Sequence, residues 1–212
     1  MDFFSLLREH ARLRTQSPAV SSARRSMTYR KLWSRIERAT ARLQGEWGVG
    51  RDDTVAYLGN SHPDALVLFF ALARCGSRLL PLSPALADAE RSLLLREFQP
   101  RWLIIDDDLH ETQTVGAVQV LSSLIATRCP YEPGDVVEDM SRPVLLCNSV
   151  QSPATGQISS LKQLREEGKR LGSTSLPVEV DKVGIANFFE GSSFSSIVLP
   201  VLERGACLVM PS

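Results

Sequence analysis

The sequence predicts an α/β fold built on a mostly parallel sheet with helices on both faces. Three observations lead there. Between residues 54 and 105, short apolar runs of strand length alternate with helical patterns of about 10–15 residues, the signature of βαβ units with parallel strands and right-handed crossovers. The helix at 63–74 is apolar nearly all round, so it must be covered on both sides. The punctuation also repeats: Arg74-Cys75-Gly76, a strand, Pro81, and then Glu203-Arg204-Gly205, a strand, Pro211. Gly after each helix supplies the left-handed cap needed before the chain turns back into a sheet. The echo reads as recurring βαβ geometry, not as a duplicated function.

Taken in order, Phe3, Leu6, Leu7 and Leu13 fall at nearly helical spacing, which predicts an amphipathic helix over 3–13 ended before Pro18. Residues 19–21 and 26–28 suit two hairpin arms, with Ala23-Arg24-Arg25 at the tip. Thr28 caps a helix that buries Tyr29, Leu32, Trp33, Ile36, Ala39 and Leu43, and Gly48 with Gly50 marks its end. A strand at 54–58 leads to Ser61-His62-Pro63-Asp64, where Ser and Asp three apart form a capping pattern. Then follow the helix at 63–74, a strand at 78–82, a helix at 87–98 stopped by Pro100, and a strand at 101–105. Residues 116–121 are a further short strand. Pro130, Pro133 and Gly134 among acids make 129–142 a linker between a first lobe, 1–128, and a second βαβ lobe, 143–212, packed with it as one unit. The second lobe reads as a strand at 144–147, a polar loop, a helix at 161–171, a strand at 183–189, a helix at 193–203 and a last strand at 207–210.

At 212 residues the chain can bury a full core. No run approaches the roughly 18 apolar residues that cross a bilayer, and the acid in Met1-Asp2-Phe3-Phe4 does not suit a secretory signal, so a cytoplasmic protein is expected. Zero net charge argues against a nucleic-acid surface. The charge is uneven, however: residues 1–46 carry ten Lys or Arg against four Asp or Glu. Lys31, Arg35, Arg38 and Arg42 share one helix face, read as solvated. The four cysteines lack the spacing of a zinc site or a disulfide framework, and Cys75, Cys147 and Cys207 sit in apolar runs as reduced core residues do. A catalytic His62 would need an acid or nucleophile beside it, which the sequence alone does not show. Asp106-Asp107-Asp108 ends a strand where parallel sheets meet ligands, but three adjacent acids point apart and read as a solvated loop rather than a magnesium site.

The stretch 144–164, VLLCNSVQSPATGQISSLKQL, has the layout of a phosphate cradle: an apolar strand, a loop of small residues, then a helix. Such a loop works because small residues let backbone N–H groups converge on an anion, with a Lys for the outer phosphates. Here the loop holds one glycine, Gly156, and no Lys before Lys162.

Matches elsewhere give this layout a family. Asp53, Val55, Ala56, Asn60 and Ser61 fit G-D-x-V-A-x-x-L-x-N-S with one residue fewer before Asn60; Phe69, Phe70, Ala71, Gly76, Pro81, Leu82 and Pro84 fit F-F-A-x-x-x-A-G-x-x-x-x-P-L-x-P. Thr28-Tyr29-Arg30-Lys31-Leu32 stands on T-Y-x-E-L with Lys31 for the Glu. From about Phe3 to Ser212 the chain resembles the N-terminal part of the adenylate-forming superfamily, which includes the acyl-CoA synthetases. The resemblance implies the fold of their N-terminal subdomain, AMP-forming acid–thiol ligase chemistry, and ATP or AMP with magnesium as cofactors. It also sets the 144–164 stretch on T-S-G-T-T-G-x-P-K. A shortened register places Ser152-Pro153-Ala154-Thr155-Gly156 on S-G-T-T-G, so Ser152, Thr155 and Gly156 are the vestigial cofactor contacts; an ungapped register keeps only Ser149 and Ser152. Neither supplies the P-K, and Pro153 in place of glycine removes a backbone donor. In the family, P-x-F-H lies near the acyl pocket. Here Phe189 fits and Glu190 replaces the His, making those two the substrate-binding expectation.

Adenylation depends on positioning and electrostatics, and each lost donor typically costs roughly 2.7–4 kcal/mol. The resemblance also puts the family's remaining nucleotide-binding and catalytic segments after Ser212. The expected function is therefore a truncated relative that keeps the scaffold, has no catalytic or metal residues of its own, and acts as a binding or interaction pseudoenzyme. The alternative is the scaffold subunit of a split acyl-activating ligase. Surfaces that the family covers with later segments would favour self-association or a protein partner, with a small acyl ligand as the second candidate. An unrelated Rossmann-like binder is disfavoured, because no G-x-G-x-x-G follows a strand.

Overall fold

In the computed structural model the described residues are 2–22, 25–109, 117–125, 129–137, 139–149, 152–172, 181–189 and 192–210. Helix α1 (Phe3–Leu13) begins where the Asp2 carboxylate accepts the Ser5 N–H at 2.8 Å. The hairpin β1 (Pro18–Ser21) and β2 (Ser26–Thr28) leads into α2 (Tyr29–Gly45), capped by Thr28 through the Lys31 N–H at 3.3 Å. Helix α2 ends at Gly45, and Gly48 stands in the turn beyond it with φ 63°. Then come β3 (Thr54–Leu58), α3 (Pro63–Cys75), β4 (Arg78–Leu82), α4 (Asp88–Phe98), β5 (Trp102–Ile105), β6 (Ala117–Val120) and α5 (Leu121–Ile125). The remainder is β7 (Pro143–Ser149), β8 (Ser152–Ser160), α6 (Leu161–Gly172), β9 (Lys182–Gly184), a π-helical turn (Phe194–Val198), α7 (Leu199–Arg204) and β10 (Cys207–Val209).

The larger sheet has the order β6-β5-β3-β4-β7-β8, parallel except for β8. Its inner strands β3, β4 and β5 are apolar on both faces, as strands covered by helices on either side must be. Val55, Tyr57, Leu79 and Ile104 face the main core with α3, while Ala56, Leu58, Leu80, Leu82, Leu103 and Ile105 face a second core with Leu94 and Leu95 of α4. Ala65 through Leu72 of α3 are fully buried, which meets the demand of an all-apolar helix for cover on every side. A second sheet, β2-β1-β10-β9, joins the first hairpin to the last strand. Tyr29 donates to the Ala206 carbonyl at 2.6 Å, and Arg14 donates to that of Gly205 at 3.2 Å, tying α1 and α2 to the end of α7. Gly76 and Gly205 both cap their helices in the left-handed region, φ 74° and 75°, as the repeated punctuation requires. Both sheets draw strands from either side of residues 129–142; there Val137 is buried, its N–H bonded to the Arg74 carbonyl at 2.8 Å.

Four local expectations are corrected. The polar loop after residue 147 is a strand: β8 runs antiparallel to β7 from Ser149↔Ser152 to Pro143↔Ser160, leaving only residues 150 and 151 between the strands. An edge strand draws on backbone pairing and tolerates polar side chains, so its Ser-rich composition concealed it. The basic face of α2 is solvated at Lys31 but not along its length. Arg35 pairs with Asp64 at 2.6 Å, and Arg42, 5% exposed, donates to the carbonyls of Ser123 and Leu124 and to Glu46. Ser61 does not cap α3; His62 does, its Nδ1 accepting the Asp64 N–H at 3.2 Å. The strand expected at 183–189 is confined to β9, Lys182–Gly184.

Candidate functional site

The parallel strands end together on one edge of the large sheet, and such edges are where open α/β sheets take ligands. Three groups meet there. Asp106, just past β5, is half-buried and accepts three hydrogen bonds: from the Tyr57 hydroxyl at 2.6 Å, the Asn60 N–H at 2.8 Å, and His62 Nε2 at 3.0 Å. Burial alone would raise this carboxyl, but the bonds from His62, Tyr57 and Asn60 together bring it below the ordinary carboxylate value. Burial and the neighbouring Asp106 charge push the Tyr57 hydroxyl far up, so it stays a donor. With Nδ1 accepting, His62 donates through Nε2 as the neutral tautomer. A Cβ on Gly59 would collide with the Tyr57 hydroxyl and Asp106, so this close approach requires glycine. Asp106 is therefore an ordered anchor, correcting the solvated loop expected at 106–108; Asp107 and Asp108 are exposed.

The second group continues the first. Ser61 Oγ donates to Asn187 Oδ1 at 2.6 Å and accepts the Phe188 N–H at 2.8 Å; Asn187 Oδ1 also accepts the Phe189 N–H at 3.1 Å. This brings Phe189 to the same edge, half-buried, its ring stacked on Phe194 at 5.8 Å and 8° and beside Phe69 at 6.3 Å. Glu190 lies outside the described residues. The sequence reading set His62 and Asp106 aside and gave no role to Tyr57 or Asn187; the signal available was an acid closing one parallel strand beside the Asn60-Ser61-His62 turn closing its neighbour.

The third group is the β7–β8 hairpin, whose tip points to this edge because β7 runs parallel to β4. Ser152 pairs with Ser149 at the end of the ladder, and Thr155 and Gly156 lie where the register shifts between that pair and Cys147↔Gln157. The residues present do not fit a magnesium–triphosphate group. No Lys or Arg occurs from 144 to 161, and Lys162 follows Ser160, which pairs with Pro143 at the opposite end of the ladder. Eight strand steps from Ser152 to Ser160 span about 26 Å, which puts Lys162 out of reach of the tip. Among the described residues, no group of three or more His, Cys, Asp or Glu could hold a metal ion. No helix among them is long and apolar enough to cross a membrane.

A doubly covered parallel sheet with polar turns converging on its C-terminal edge and an antiparallel hairpin beside them defines an α/β scaffold of the open-sheet class, whose ligand sites in general lie at that edge. Residues 7–160 match the family described as AMP-binding enzyme, and the chain belongs to that family. Indoleacetate–CoA ligase of Aromatoleum aromaticum is 32% identical over 106 residues, 50% of this chain and 21% of that protein. Feruloyl-CoA synthase of an Amycolatopsis species is 25% identical over 208 residues, 95% of this chain and 42% of that protein. The chain spans under half the length of the curated relatives it matches. Among solved structures, unliganded O-succinylbenzoate coenzyme A synthetase of Bacillus subtilis superposes with a TM-score of 0.84 at 17% identity, covering 97% of this chain and 43% of that one. The N-terminal subdomain of Klebsiella oxytoca NpsA, in complex with 3-hydroxybenzoyl-AMSN, gives 0.80 at 20%, covering 98% and 53%. The fold is thus that of the N-terminal subdomain of acyl-CoA synthetases.

Proposed function

We propose that this chain is an acyl-CoA synthetase-like scaffold that cannot adenylate a carboxylic acid by itself and acts as a binding or interaction module, with a small acyl group held against Phe189 and Glu190. The observation that carries this reading is the hairpin. Its tip offers no cation, Pro153 supplies no N–H, and the first Lys stands about 26 Å along the strand. Ser152, Thr155 and Gly156 remain as vestigial anion contacts, with the register shift releasing backbone groups from the ladder. The relatives' printed activities, CoA ligation of indoleacetate and synthesis of feruloyl-CoA, support an aromatic acid as the acyl group.

A second reading, the scaffold subunit of a split acyl-activating ligase, is favoured by β8. It is an edge strand with Ile158 46% exposed, and an open strand edge is a template for further pairing. ATP–pyrophosphate exchange with a panel of aromatic acids tests both readings. The chain alone gives no exchange above background; exchange by the chain alone refutes the first reading, and exchange only on adding a second polypeptide supports the second. A thermal-shift titration with ATP and magnesium against Gly156→Pro tests the vestigial contacts, which fall if neither protein shifts.

A further inference from the structure

The polar chain that begins at Asp106 does not stop at the turn after β3. Ser61 spends both sides of its hydroxyl on the segment 187–189, donating to Asn187 Oδ1 and accepting the Phe188 N–H, while Asn187 Oδ1 takes the Phe189 N–H. Asp106 holds the other side of that turn through Asn60 and His62. The backbone of Phe188 and Phe189 is thus fixed by two side chains, one of them 127 residues away in sequence. Phe188 is fully buried, while Phe189 is partly buried with its ring laid flat on Phe194. A ring whose backbone is pinned on one side and whose face is stacked on the other cannot recede.

The geometry points to Ser61 and Asn187 as positioning residues that fix Phe189 as a rigid wall and thereby set the breadth of the aromatic acyl group accepted beside it. This rests on the reading of Phe189 as an acyl-binding residue. Both bonds to Asn187 end on Oδ1, so an aspartate can replace it and an aliphatic side chain cannot. Loss of the bridge frees the wall, and a broader acyl group then gains on a narrower one.

The test is calorimetric binding of two aromatic acids, benzoate as the benzoyl probe and 2-naphthoate as the naphthoyl probe, to the chain and to Ser61→Ala, Asn187→Leu, Asn187→Asp and Thr40→Ala. The wild type prefers the benzoyl probe. Ser61→Ala and Asn187→Leu shift the ratio of dissociation constants toward the naphthoyl probe by about fivefold, the equivalent of one typical hydrogen bond. Asn187→Asp keeps the wild-type ratio. Thr40 is buried in α2 and its hydroxyl donates to the Ile36 carbonyl of the same helix, so its loss lowers the melting temperature and leaves the ratio alone. If the wild type binds but the bridge variants keep its ratio, or Thr40→Ala moves the ratio as they do, the positioning role is overturned and the acyl reading stands. If the wild type binds neither probe, the acyl reading fails and takes the inference with it.

Discussion

Replacing Asp106 by Asn tests whether this carboxylate is an anchor or an ordinary surface acid. Its Oδ1 accepts from Tyr57 at 2.6 Å and His62 at 3.0 Å, and its Oδ2 accepts the Asn60 N–H at 2.8 Å. All three incoming groups are donors. An asparagine presents one acceptor and one NH₂, so whichever way it turns, at least one donor meets another donor. A hydrogen bond to a charged group contributes about 1.5–3 kcal/mol, and an unsatisfied buried donor costs about 1–3 kcal/mol. Allowing for relaxation at a half-buried site, Asp106→Asn should destabilise the chain by about 2–4 kcal/mol. For a protein of this size that lowers the melting temperature by roughly 5–15 °C. The assay is urea and thermal denaturation followed by circular dichroism, with Asp108→Asn as reference; exposed Asp108 should change stability by no more than about 0.5 kcal/mol. A cost for Asp106→Asn below about 1 kcal/mol, or one equal to that of Asp108→Asn, would show that the three bonds do not anchor the turn.

Three further outcomes follow from the same physics. Because folding depresses the Asp106 carboxyl, its contribution is fully present above the ordinary carboxylate value and is lost as pH falls through the lower folded value; the stability gap between wild type and Asp106→Asn should therefore close below about pH 4. A Cβ on Gly168 of α6 would run into the Ser195 carbonyl of the π-helical turn, so Gly168→Ala should cost about 1–3 kcal/mol by overpacking, whereas Gly184→Ala, with its nearest atom at 4.0 Å, should be nearly neutral in a melt. Burial pushes the Cys75 thiol up to about 12, so iodoacetamide at pH 8 should leave it unmodified in the native chain and label it in urea, as mass spectrometry of peptides would report.

What could be read from the sequence was set by local punctuation. Helix α1 falls on the expected residues because Asp2 and Pro18 bound it, and the Gly76 and Gly205 caps stand where helix, Gly, strand and Pro follow one another. The alternation from β3 to β5 needed only apolar period and length. What failed was decided by partners far along the chain. Arg42 is buried because the carbonyls of Ser123 and Leu124 come to it across 81 and 82 residues; on the helix alone it looks like a solvated cation. Ser61, two residues before Pro63, looks like a cap until Asn187 claims its hydroxyl, and His62 then takes the role. Asp106 is one acid of three until β3 and the turn after it close around it. Pairing of β1 with β10 could not be anticipated either, since four-residue and three-residue strands show no period of their own.

The scaffold and the phosphate grip are separable for a physical reason. Both cores are built from residues that face helices across the sheet, and β7 contributes to them through Val144, Leu145 and Leu146 near the N-terminal end of its ladder with β8. The end of that ladder at Ser149 and Ser152 lies beyond them toward the C-terminal edge of the parallel strands, and neither residue belongs to either core among the described residues. A phosphate-binding turn imposes its demands for small residues and a cation from the ligand's side alone; once that demand lapses, nothing in the core restores it. The Asp106–Ser61–Asn187 chain stands in a different position. Its members hold the turn after β3, the start of α3 and the segment carrying Phe189, so their loss would be felt by the fold itself. The order of Phe189 at this edge is therefore tied to the fold, whereas the ladder of the neighbouring hairpin fixes backbone pairing and not residue type.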